Sequence, residues 1–371
     1  MTIGVLIGTR PECIKLAPVV HALEARHAAV EVYVTGQHRE LLLPLFDDLA
    51  LTPTVNLDLM RPDQSLAGLS ARILDGMEPL LRERKPGCMI VQGDTTTVAM
   101  GALACFYAGV PVAHVEAGLR TGVPRNPFPE EMNRRMAAVL ADFHFAPTVE
   151  ARDNLLREGV AAERIHVIGN TVVDALFYAS SHLATNAIPD PMLAPVYASG
   201  RDLVLITGHR RENFGPDFTS MCRGIARLAR EFPAVNFVYP VHPNPHVRSA
   251  VEAQLRGLDN VLLTDPQPYV RFIQLLSKTK LIITDSGGVQ EEGAALGIPM
   301  LVTRHTCERM EAVRAGVSKL VGPDENAIFA HGKELLSDPV AYAAQARPTQ
   351  VFGDGHAAER IAEILLAGDA K

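Results

Sequence analysis

The chain alternates short β-rich runs with stretches of helix length. In the first half the β-rich runs are TIGVLI, VEVYVTG, CMIVQGD, PVAHVEA, DFHFAPT and IHVIGN, and between them lie stretches such as KLAPVVHALEARH and TVAMGALACFYAGV. This alternation is typical of βαβ units, in which helices cover a sheet of parallel strands. The first half therefore predicts an α/β unit.

The same rhythm restarts after a stretch rich in proline and alanine, IPDPMLAPVYASG, with runs such as DLVLITGHR, NFVYPVH and LIITDSGG. A length of 371 residues is enough for two domains. We expect an N-terminal α/β domain over 1–170 and a C-terminal α/β domain over 171–354, with a helix at 355–371 packed back on the first. Two such domains predict a cleft lined by the carboxyl edges of two sheets, where open α/β folds bind ligands.

Composition excludes several classes of partner. The formal net charge is −7 and no long basic stretch offsets it, which argues against nucleic acid. The sequence shows no secretory leader and no apolar stretch long enough to cross a bilayer, so we expect a cytoplasmic protein without a membrane partner. The five cysteines lie far apart and form no C-x-x-C, which predicts reduced thiols and no metal site.

Two common nucleotide-binding motifs are missing. No G-x-G-x-x-G follows the first strand, and G-x-x-x-x-G-K-[ST] occurs nowhere in the chain. Neither a dinucleotide in its usual pocket nor a Walker-type ATP site is therefore supported, and no cofactor is expected.

A glycine-rich turn, TDSGGVQEEGAALG, follows a strand in the second half. Its residues Ser286, Gly287 and Gly288 would let a ligand approach the backbone, and the N–H groups of the next helix can hold a phosphate. Glu292, one turn into the helix, would accept hydrogen bonds from ribose hydroxyls. The alternative is a serine-capped helix whose acids favour its N-terminus.

Cationic side chains also follow predicted strands. GTRPECIK places Arg10 and Lys15 after the first strand, which suggests an anionic ligand, although a tight turn with two solvated cations has the same composition. GHRREN and YPVHPNP place His209 and His242 at the ends of two later strands. Prolines between His242 and His246 prevent a regular helix, so we do not expect these two histidines to bind a metal ion together. We expect contacts to phosphate or uracil there instead.

Three acids of the first half lie where a predicted strand ends or a predicted helix begins. They are Asp94 in QGDTTT, Glu116 in HVEAGLRTG and Glu130 in NPFPEEMNRR. Gathered at one edge opposite a phosphate site, they would suit proton transfer on a neutral sugar.

Each of these acids also has a structural interpretation. Asp94 would be a helix N-cap, Glu116 a buried ion-pair partner, and Glu130 half of an exposed helix pair. The neighbouring acid Glu131 is interpreted as an exposed salt bridge with Arg135, without a catalytic role.

Taken together and in order, ten strings resemble the non-hydrolysing UDP-N-acetylglucosamine 2-epimerases: GTRPECIK, TGQHRE, QGDTTT, HVEAGLRTG, PFPEEMNR, IGNTVVDAL, TGHRREN, YPVHPNP, TDSGGVQEE and CERMEAV. The resemblance implies the GT-B fold of two Rossmann-like domains, interconversion of UDP-GlcNAc and UDP-ManNAc, and a homodimer. It also implies that UDP binds mainly to the second domain and that the enzyme serves cell-surface polysaccharide biosynthesis.

The resemblance also assigns roles to residues. The acid and base candidates fall on Asp94, Glu116 and Glu130, with His209 near the diphosphate. Ser286, Gly287 and Gly288 match the phosphate-binding turn and Glu292 the ribose contact, while the cations of the cleft match Arg10, Lys15, Arg134 and Arg309. The chain departs from the family at Cys13 and Gly293, where alanine is usual, and at Met310, which replaces a proline and is expected to loosen the loop that holds Arg309.

The reaction itself favours elimination. No carbonyl acidifies the hydrogen on carbon 2, but departure of UDP from carbon 1 would, so that a carboxylate can remove it and leave a glycal. Addition of UDP and protonation on the other face then gives the epimer. The sequence does not assign a carboxylate to each face. A GT-B glycosyltransferase, a hydrolysing 2-epimerase that releases ManNAc, an epimerase of diacetamido uronic acid sugars and a UDP-sugar sensor remain alternatives. The carboxylate set favours the epimerase over the glycosyltransferase and the sensor. Pro11, Glu12 and the three threonines after Asp94 favour the non-hydrolysing UDP-GlcNAc group over the other two epimerases.

A second, regulatory UDP-GlcNAc site is suggested by GQHRE and MRPDQSL, which match the region that holds this ligand in bacterial members of the family. Glu40 and Asp63, however, stand where some members carry glutamine and arginine, so we expect only a weak response to UDP-GlcNAc. The residues that would form this site are Gln37, His38, Arg39, Gln64 and Arg210.

Overall fold

The computed structural model describes residues 1–36, 39–59, 61, 64–185, 190–208, 214–307 and 309–367. The chain forms two compact units, of which the first comprises Met1–Tyr178 with Gly353–Lys371 and the second Ala179–Phe352. The sequence predicts these boundaries at residues 170 and 354.

The first unit contains a parallel sheet in the order β3-β2-β1-β4-β5-β6-β7. Its strands are β1 (Thr2–Ile7), β2 (Ala29–Val34), β3 (Val55–Asn56), β4 (Cys88–Gln92), β5 (Val112–Val115), β6 (Phe143–Ala146) and β7 (Ile165–Val167). Its first helices are α1 (Arg10–Glu24), α2 (Arg39–Asp48), α3 (Leu66–Arg84), α4 (Thr96–Ala108), α5 (Glu130–Leu140) and α6 (Val149–Arg157), followed by the first part of α7 (Thr171–Thr185), since the unit boundary falls after Tyr178 within this helix. The central strand β4 is buried along its whole length, which explains its continuous apolar run.

The second unit repeats this plan with a sheet in the order β10-β9-β8-β11-β12-β13. Its strands are β8 (Leu203–Thr207), β9 (Asn236–Pro240), β10 (Val261–Thr264), β11 (Leu281–Thr284), β12 (Met300–Val302) and β13 (Ser318–Leu320). Its helices are α8 (Ala194–Ala198), α9 (Pro216–Glu231), α10 (Pro245–Leu255), α11 (Tyr269–Leu276), α12 (Gly287–Leu296), α13 (Met310–Arg314), α14 (Glu325–Ser337) and α15 (Pro339–Gln345). Its core packs α9 side chains such as Phe218 and Ile225 against β9.

The last helix, α16 (Ala357–Ala367), belongs to the first unit and packs against α1. The N–H of Ala358 donates to the carboxylate of Asp174 on α7 at 2.8 Å. The Arg360 guanidinium donates to the carbonyl oxygen of Ile168 at 3.0 Å. These hydrogen bonds attach the end of the chain to the beginning of α7. No helix among the described residues has the length and hydropathy that crossing a membrane requires.

Both sheets reverse their strand order at one point. In the first unit β1 and β4 are neighbours although β2 and β3 lie between them in sequence, and in the second unit β8 and β11 are related in the same way. The loops that leave two such strands diverge, which opens a crevice at their carboxyl ends. The described residues within two positions of these ends include Gly8 and Asp94 in the first unit and Gly208 and Ser286 in the second.

Candidate functional site

In the first unit, the turns after β1 and β4 approach each other closely. A Cβ atom on Gly8 would lie 2.3 Å from Oγ1 of Thr97 on α4, so only glycine allows this approach. The buried carboxylate of Glu12 joins the same two turns. It accepts hydrogen bonds from the N–H of Gly8 at 2.6 Å and from the hydroxyls of Thr9 and Thr95 at 2.9 and 2.8 Å.

Glu12 was not identified as a structural residue from the sequence, because its partners include Thr95, which is far away along the chain. Burial raises the pKa of Glu12 to about 7, although the hydrogen bonds from Gly8, Thr95 and Thr9 act in the opposite direction. Through these hydrogen bonds the Glu12 side chain connects the turn after β1 to the turn that carries Asp94.

Asp94 lies in this second turn and is not the N-cap of α4. Thr95 is the N-cap, since its side chain accepts a hydrogen bond from the N–H of Val98. The Asp94 carboxylate instead pairs with the guanidinium of Arg134 at 2.6 Å, and the side-chain amide of Asn133 donates to its backbone carbonyl at 2.9 Å. Two side chains of α5 thus hold the Asp94 turn.

Glu130 lies on the same face of α5 as these two side chains, because residues three and four positions apart share a helix face. It begins the helix, and it is partly buried. The structure therefore brings Glu130 to the side of α5 that faces the Asp94 turn.

The interpretation of Glu131 as an exposed surface pair is wrong. Its side chain is fully buried, and its carboxylate accepts hydrogen bonds from the backbone N–H groups of Thr121 and Gly122 at 3.0 and 3.2 Å. It also pairs with Arg134 at 3.3 Å and with Arg135 at 3.7 Å. Arg135 does lie at the predicted helical spacing, but the loop that covers this face of α5 cannot be seen from that spacing.

Glu116 follows β5, the neighbour of β4, and has a φ angle of +65°, which is uncommon for a residue with a side chain. Its Oε2 atom accepts from the ammonium group of Lys15 and from the side-chain amide of Asn170, the latter at 2.9 Å. All three side chains are buried. Lys15 is thus not a solvated cation, and the structural interpretation of Glu116 as a buried ion-pair partner holds. Arg10, at the start of α1, is partly buried.

In the second unit, Ser286 is the N-cap residue of α12, but its side chain makes no capping hydrogen bond. The interpretation of a side-chain cap is therefore wrong. The backbone N–H of Ser286 donates to the hydroxyl oxygen of Thr284 at 2.9 Å, and the Thr284 and Thr207 hydroxyls lie 2.6 Å apart. These contacts hold the turn between the ends of β11 and β8.

The two glycines of this turn differ in surroundings. A Cβ atom on Gly287 would lie 2.4 Å from Cζ of Arg309, whereas a Cβ atom on Gly288 would meet no atom of the described residues within 4 Å, apart from its chain neighbours and the backbone of its own helix. Arg309 is buried and donates from Nε to Glu291 at 2.8 Å. Packing of Arg309 therefore requires glycine at 287, while the open space at 288 allows another molecule to approach the N-terminus of α12.

Two further predicted contacts lie in this unit. Glu292 is buried on α12, and the hydroxyl of Tyr269 donates to its carboxylate at 3.3 Å. His242 follows β9, and its Nδ1 accepts from the N–H of Asn244 at 3.1 Å, which leaves Nε2 to carry the proton of the neutral ring. Partial burial lowers the pKa of His242, so the neutral ring is favoured.

Several predicted residues lie outside the described part of the chain. These are Gln37, His38, Asp63, His209 and Arg210, together with the side chains of Arg39 and Glu40. Gln64 is described, and its side-chain oxygen accepts from Arg72 and from the N–H of Arg61. Within the ranges that the structure describes, no group of three or more histidine, cysteine, aspartate or glutamate side chains is arranged to hold a metal ion.

The two units therefore offer different chemistry. The first holds Asp94 and Glu116 at the ends of neighbouring strands, each paired with a cation, and such carboxylates can exchange protons with a ligand. The second presents the N-terminus of α12, whose N–H groups and dipole suit an anionic group.

Comparisons with known proteins give one consistent result. The sequence profile of the family described as UDP-N-acetylglucosamine 2-epimerase matches residues 21–366. A protein of Yersinia pestis named UDP-N-acetylglucosamine 2-epimerase is 47% identical over 370 residues, which cover 98% of both chains.

Solved structures agree with this result. The crystal structure of UDP-GlcNAc 2-epimerase from Neisseria meningitidis bound to UDP-GlcNAc has a TM-score of 0.94 and 40% identity, and the match covers 99% of this chain and 100% of the other. The glycosyltransferase SnogD from Streptomyces nogalater has a TM-score of 0.60 and 19% identity over 99% of both chains, a likeness of fold alone. The predicted GT-B fold is thus confirmed.

Proposed function

This chain belongs to the UDP-N-acetylglucosamine 2-epimerase family, and from that premise we propose that it interconverts UDP-GlcNAc and UDP-ManNAc without hydrolysis. The observation that carries this proposal is the pair of carboxylates, Asp94 with Arg134 and Glu116 with Lys15, at the ends of β4 and β5. Glu130 joins them from α5. Inversion of a carbon atom needs proton removal on one face and proton return on the other, and this set supplies the groups for both.

The reaction proceeds by anti elimination. The bond between carbon 2 and its hydrogen breaks, and its electron pair forms the double bond to carbon 1. UDP departs with the electron pair of the bond between carbon 1 and oxygen, and the proton passes to a carboxylate of the first unit. The intermediate is 2-acetamidoglucal. Addition of UDP to carbon 1 and protonation of carbon 2 from the opposite face complete the epimerisation.

The second unit holds the nucleotide in this proposal. The N–H groups at the start of α12, reached over Gly288, bind the diphosphate and stabilise the charge of departing UDP. The buried Glu292 carboxylate accepts from ribose hydroxyls, and Nε2 of His242 donates to a phosphate or uracil oxygen. Arg10, Arg309 and His209 add donors for the diphosphate, as the resemblance implies.

The experiment that tests this function is analysis of the products formed from UDP-GlcNAc alone by NMR and chromatography. The proposal predicts an equilibrium mixture of UDP-GlcNAc and UDP-ManNAc with no added cofactor. Accumulation of free ManNAc and UDP would show a hydrolysing epimerase instead. Consumption of UDP-GlcNAc only when a sugar acceptor is added would show a glycosyltransferase.

We also propose that the protein is a homodimer formed through α4 and α5. These helices pack together and carry large apolar side chains that are exposed, namely Phe106 and Tyr107 on α4 and Met132 and Val139 on α5. A second copy of the chain would cover them. Light scattering of the wild type should give twice the mass of one chain. The variant in which glutamate replaces Tyr107 and Val139 should give the mass of a single chain.

The cysteines support a reducing, cytoplasmic location. Cys13, Cys88, Cys105 and Cys222 are buried, and Cys307 is partly buried. Burial raises the pKa of Cys88, Cys105 and Cys222 to about 12, so these side chains remain unreactive thiols at neutral pH.

Regulation by a second UDP-GlcNAc is proposed to be weak, because the acids Glu40 and Asp63 stand where some members of the family carry glutamine and arginine. Removal of a charged hydrogen bond costs about 1.5–3 kcal/mol of binding free energy. The rate should rise nearly hyperbolically with UDP-GlcNAc, and pure UDP-ManNAc should be converted without a lag. A long lag that a trace of UDP-GlcNAc abolishes would show that the second site is functional.

A further inference from the structure

The side chain of Asn170 connects the start of α7 to Glu116. Its Oδ1 accepts from the N–H of Val172 at 3.1 Å, which caps the helix, and its Nδ2 donates to Oε2 of Glu116 at 2.9 Å. The cap determines the orientation of the amide, because only the oxygen can accept from Val172. The NH₂ group is consequently directed to Glu116, and Asn170 is almost fully buried.

Lys15 donates to the same oxygen of Glu116. The Lys15 ammonium and the Asn170 amide are both donors, so Oε2 acts as an acceptor towards them and is not the oxygen that carries a proton. We propose that Asn170 is a positioning residue that, together with Lys15, restricts proton exchange by Glu116 to Oε1. This inference rests on the proposed epimerisation, and in either direction of that reaction the proton exchanged with carbon 2 is bound at Oε1.

The backbone of Asn170 is fixed as well. The chain re-enters the first unit at Gly353, and a Cβ atom there would lie 3.1 Å from the Cα of Gly169 and 3.2 Å from the backbone nitrogen of Asn170. Gly353 has a φ angle of +120°, which favours glycine. Close backbone contact on one side and the cap on the other hold the amide in place relative to Glu116.

The test compares Asn170→Asp with Asn170→Ser. Aspartate and serine are both good N-cap residues, so each variant keeps the cap of α7 but loses the amide donor. The new carboxylate of Asn170→Asp also faces Glu116 and competes for its proton. We expect kcat to fall about thirtyfold in Asn170→Asp and about tenfold in Asn170→Ser, less than the roughly hundredfold or greater effect of removing a general acid or base, because Glu116 itself is retained. KM, the affinity for UDP measured by calorimetry and the Tm should stay close to those of the wild type.

The outcomes separate this inference from the function on which it rests. A fall in kcat with unchanged KM, UDP affinity and Tm supports the positioning role. Wild-type kcat in both variants, or a parallel loss of kcat, UDP affinity and Tm, overturns it while the wild type still epimerises. A folded wild type that does not epimerise overturns the proposed function, and this inference with it.

Discussion

The carboxylate edge of the first unit (Asp94, Glu116 and Glu130) and the glycine turn of the second (Ser286, Gly287 and Gly288) present different chemical groups. At the first edge the groups proposed to transfer protons are side chains, and partners from other elements hold them: Arg134 holds Asp94, while Lys15 and Asn170 hold Glu116. At the second, the groups proposed to bind the diphosphate are backbone N–H groups at the start of α12. Proton transfer needs titratable groups in fixed positions, whereas an anion is held by fixed dipoles.

The largest expected effect tests the first half of this comparison. Asp94→Asn, Glu116→Gln and Glu130→Gln should each lower kcat by at least about a hundredfold, the usual scale for a general acid or base. UDP affinity should change little, because the nucleotide is assigned to the second unit. Steady-state kinetics and calorimetry measure both quantities.

A matched control is Glu78→Gln. Glu78 forms an i,i+4 pair with Arg82 in which both side chains are mostly exposed. Its loss should change the stability by no more than about 0.5 kcal/mol and leave kcat unchanged. If Glu78→Gln lowered kcat as much as Glu130→Gln, the assignment of the three acids would be wrong.

Glu131→Gln tests how much the buried contacts of Glu131, which also pairs with Arg134, contribute to the stability of the first unit. The variant keeps the shape of the side chain but places an NH₂ group against the N–H groups of Thr121 or Gly122, or against Arg134. We expect a loss of about 2 kcal/mol in the free energy of unfolding, from buried donors left without an acceptor. Urea denaturation measures it, and an unchanged midpoint would contradict the buried position of Glu131.

The two glycines of the α12 turn allow a direct comparison within the second unit. Gly288→Ala has open space and should fold normally, while weakening UDP binding by about tenfold, or about 1.4 kcal/mol. Gly287→Ala should lower the Tm because the new methyl group meets Arg309. Calorimetric UDP titration and thermal unfolding separate the effects. If Gly288→Ala bound UDP as tightly as the wild type, the proposal that the diphosphate binds at this turn would be wrong.

A smaller effect concerns pH. Burial lowers the pKa of His114 and His144 in the first unit to about 4 from 6.5. Between these values the unfolded chain binds two protons that the folded chain does not, so stability falls as the pH decreases. Glu12, with a pKa raised to about 7, binds one proton in the folded state and opposes this trend. The net effect still disfavours the folded first unit under mildly acidic conditions.

Hydrogen exchange at pH 7 and pH 5 measures this difference between the units. In the second unit, desolvation lowers the pKa of His242, but this side chain lies at the surface, unlike the buried His114 and His144. Exchange in β5 and β6 should therefore increase at pH 5 more than exchange in β8 and β11, after correction for intrinsic rates. Equal increases in both units would contradict the proposed role of the buried histidines.

The sequence predicted the α/β fold and the turns because both depend on local pattern. Apolar runs of strand length and the glycines before α12 are visible without knowledge of distant residues. The partners of the acids are not, since Glu12 meets Thr95 and Glu116 meets Asn170 only after the sheet has formed. For the same reason Glu131 was assigned to the surface: the helical pattern shows Arg135, but not the loop at Thr121 that covers it.

The most direct test of the central claim is epimerisation of UDP-GlcNAc in heavy water, followed at carbon 2 by NMR. If carboxylates of the first unit remove and return the proton on carbon 2, solvent deuterium should appear at that carbon in both UDP-GlcNAc and UDP-ManNAc. The same incubation with Glu116→Gln should show little exchange. UDP-ManNAc that retains its original hydrogen at carbon 2 would contradict proton transfer by these carboxylates and the elimination built on it.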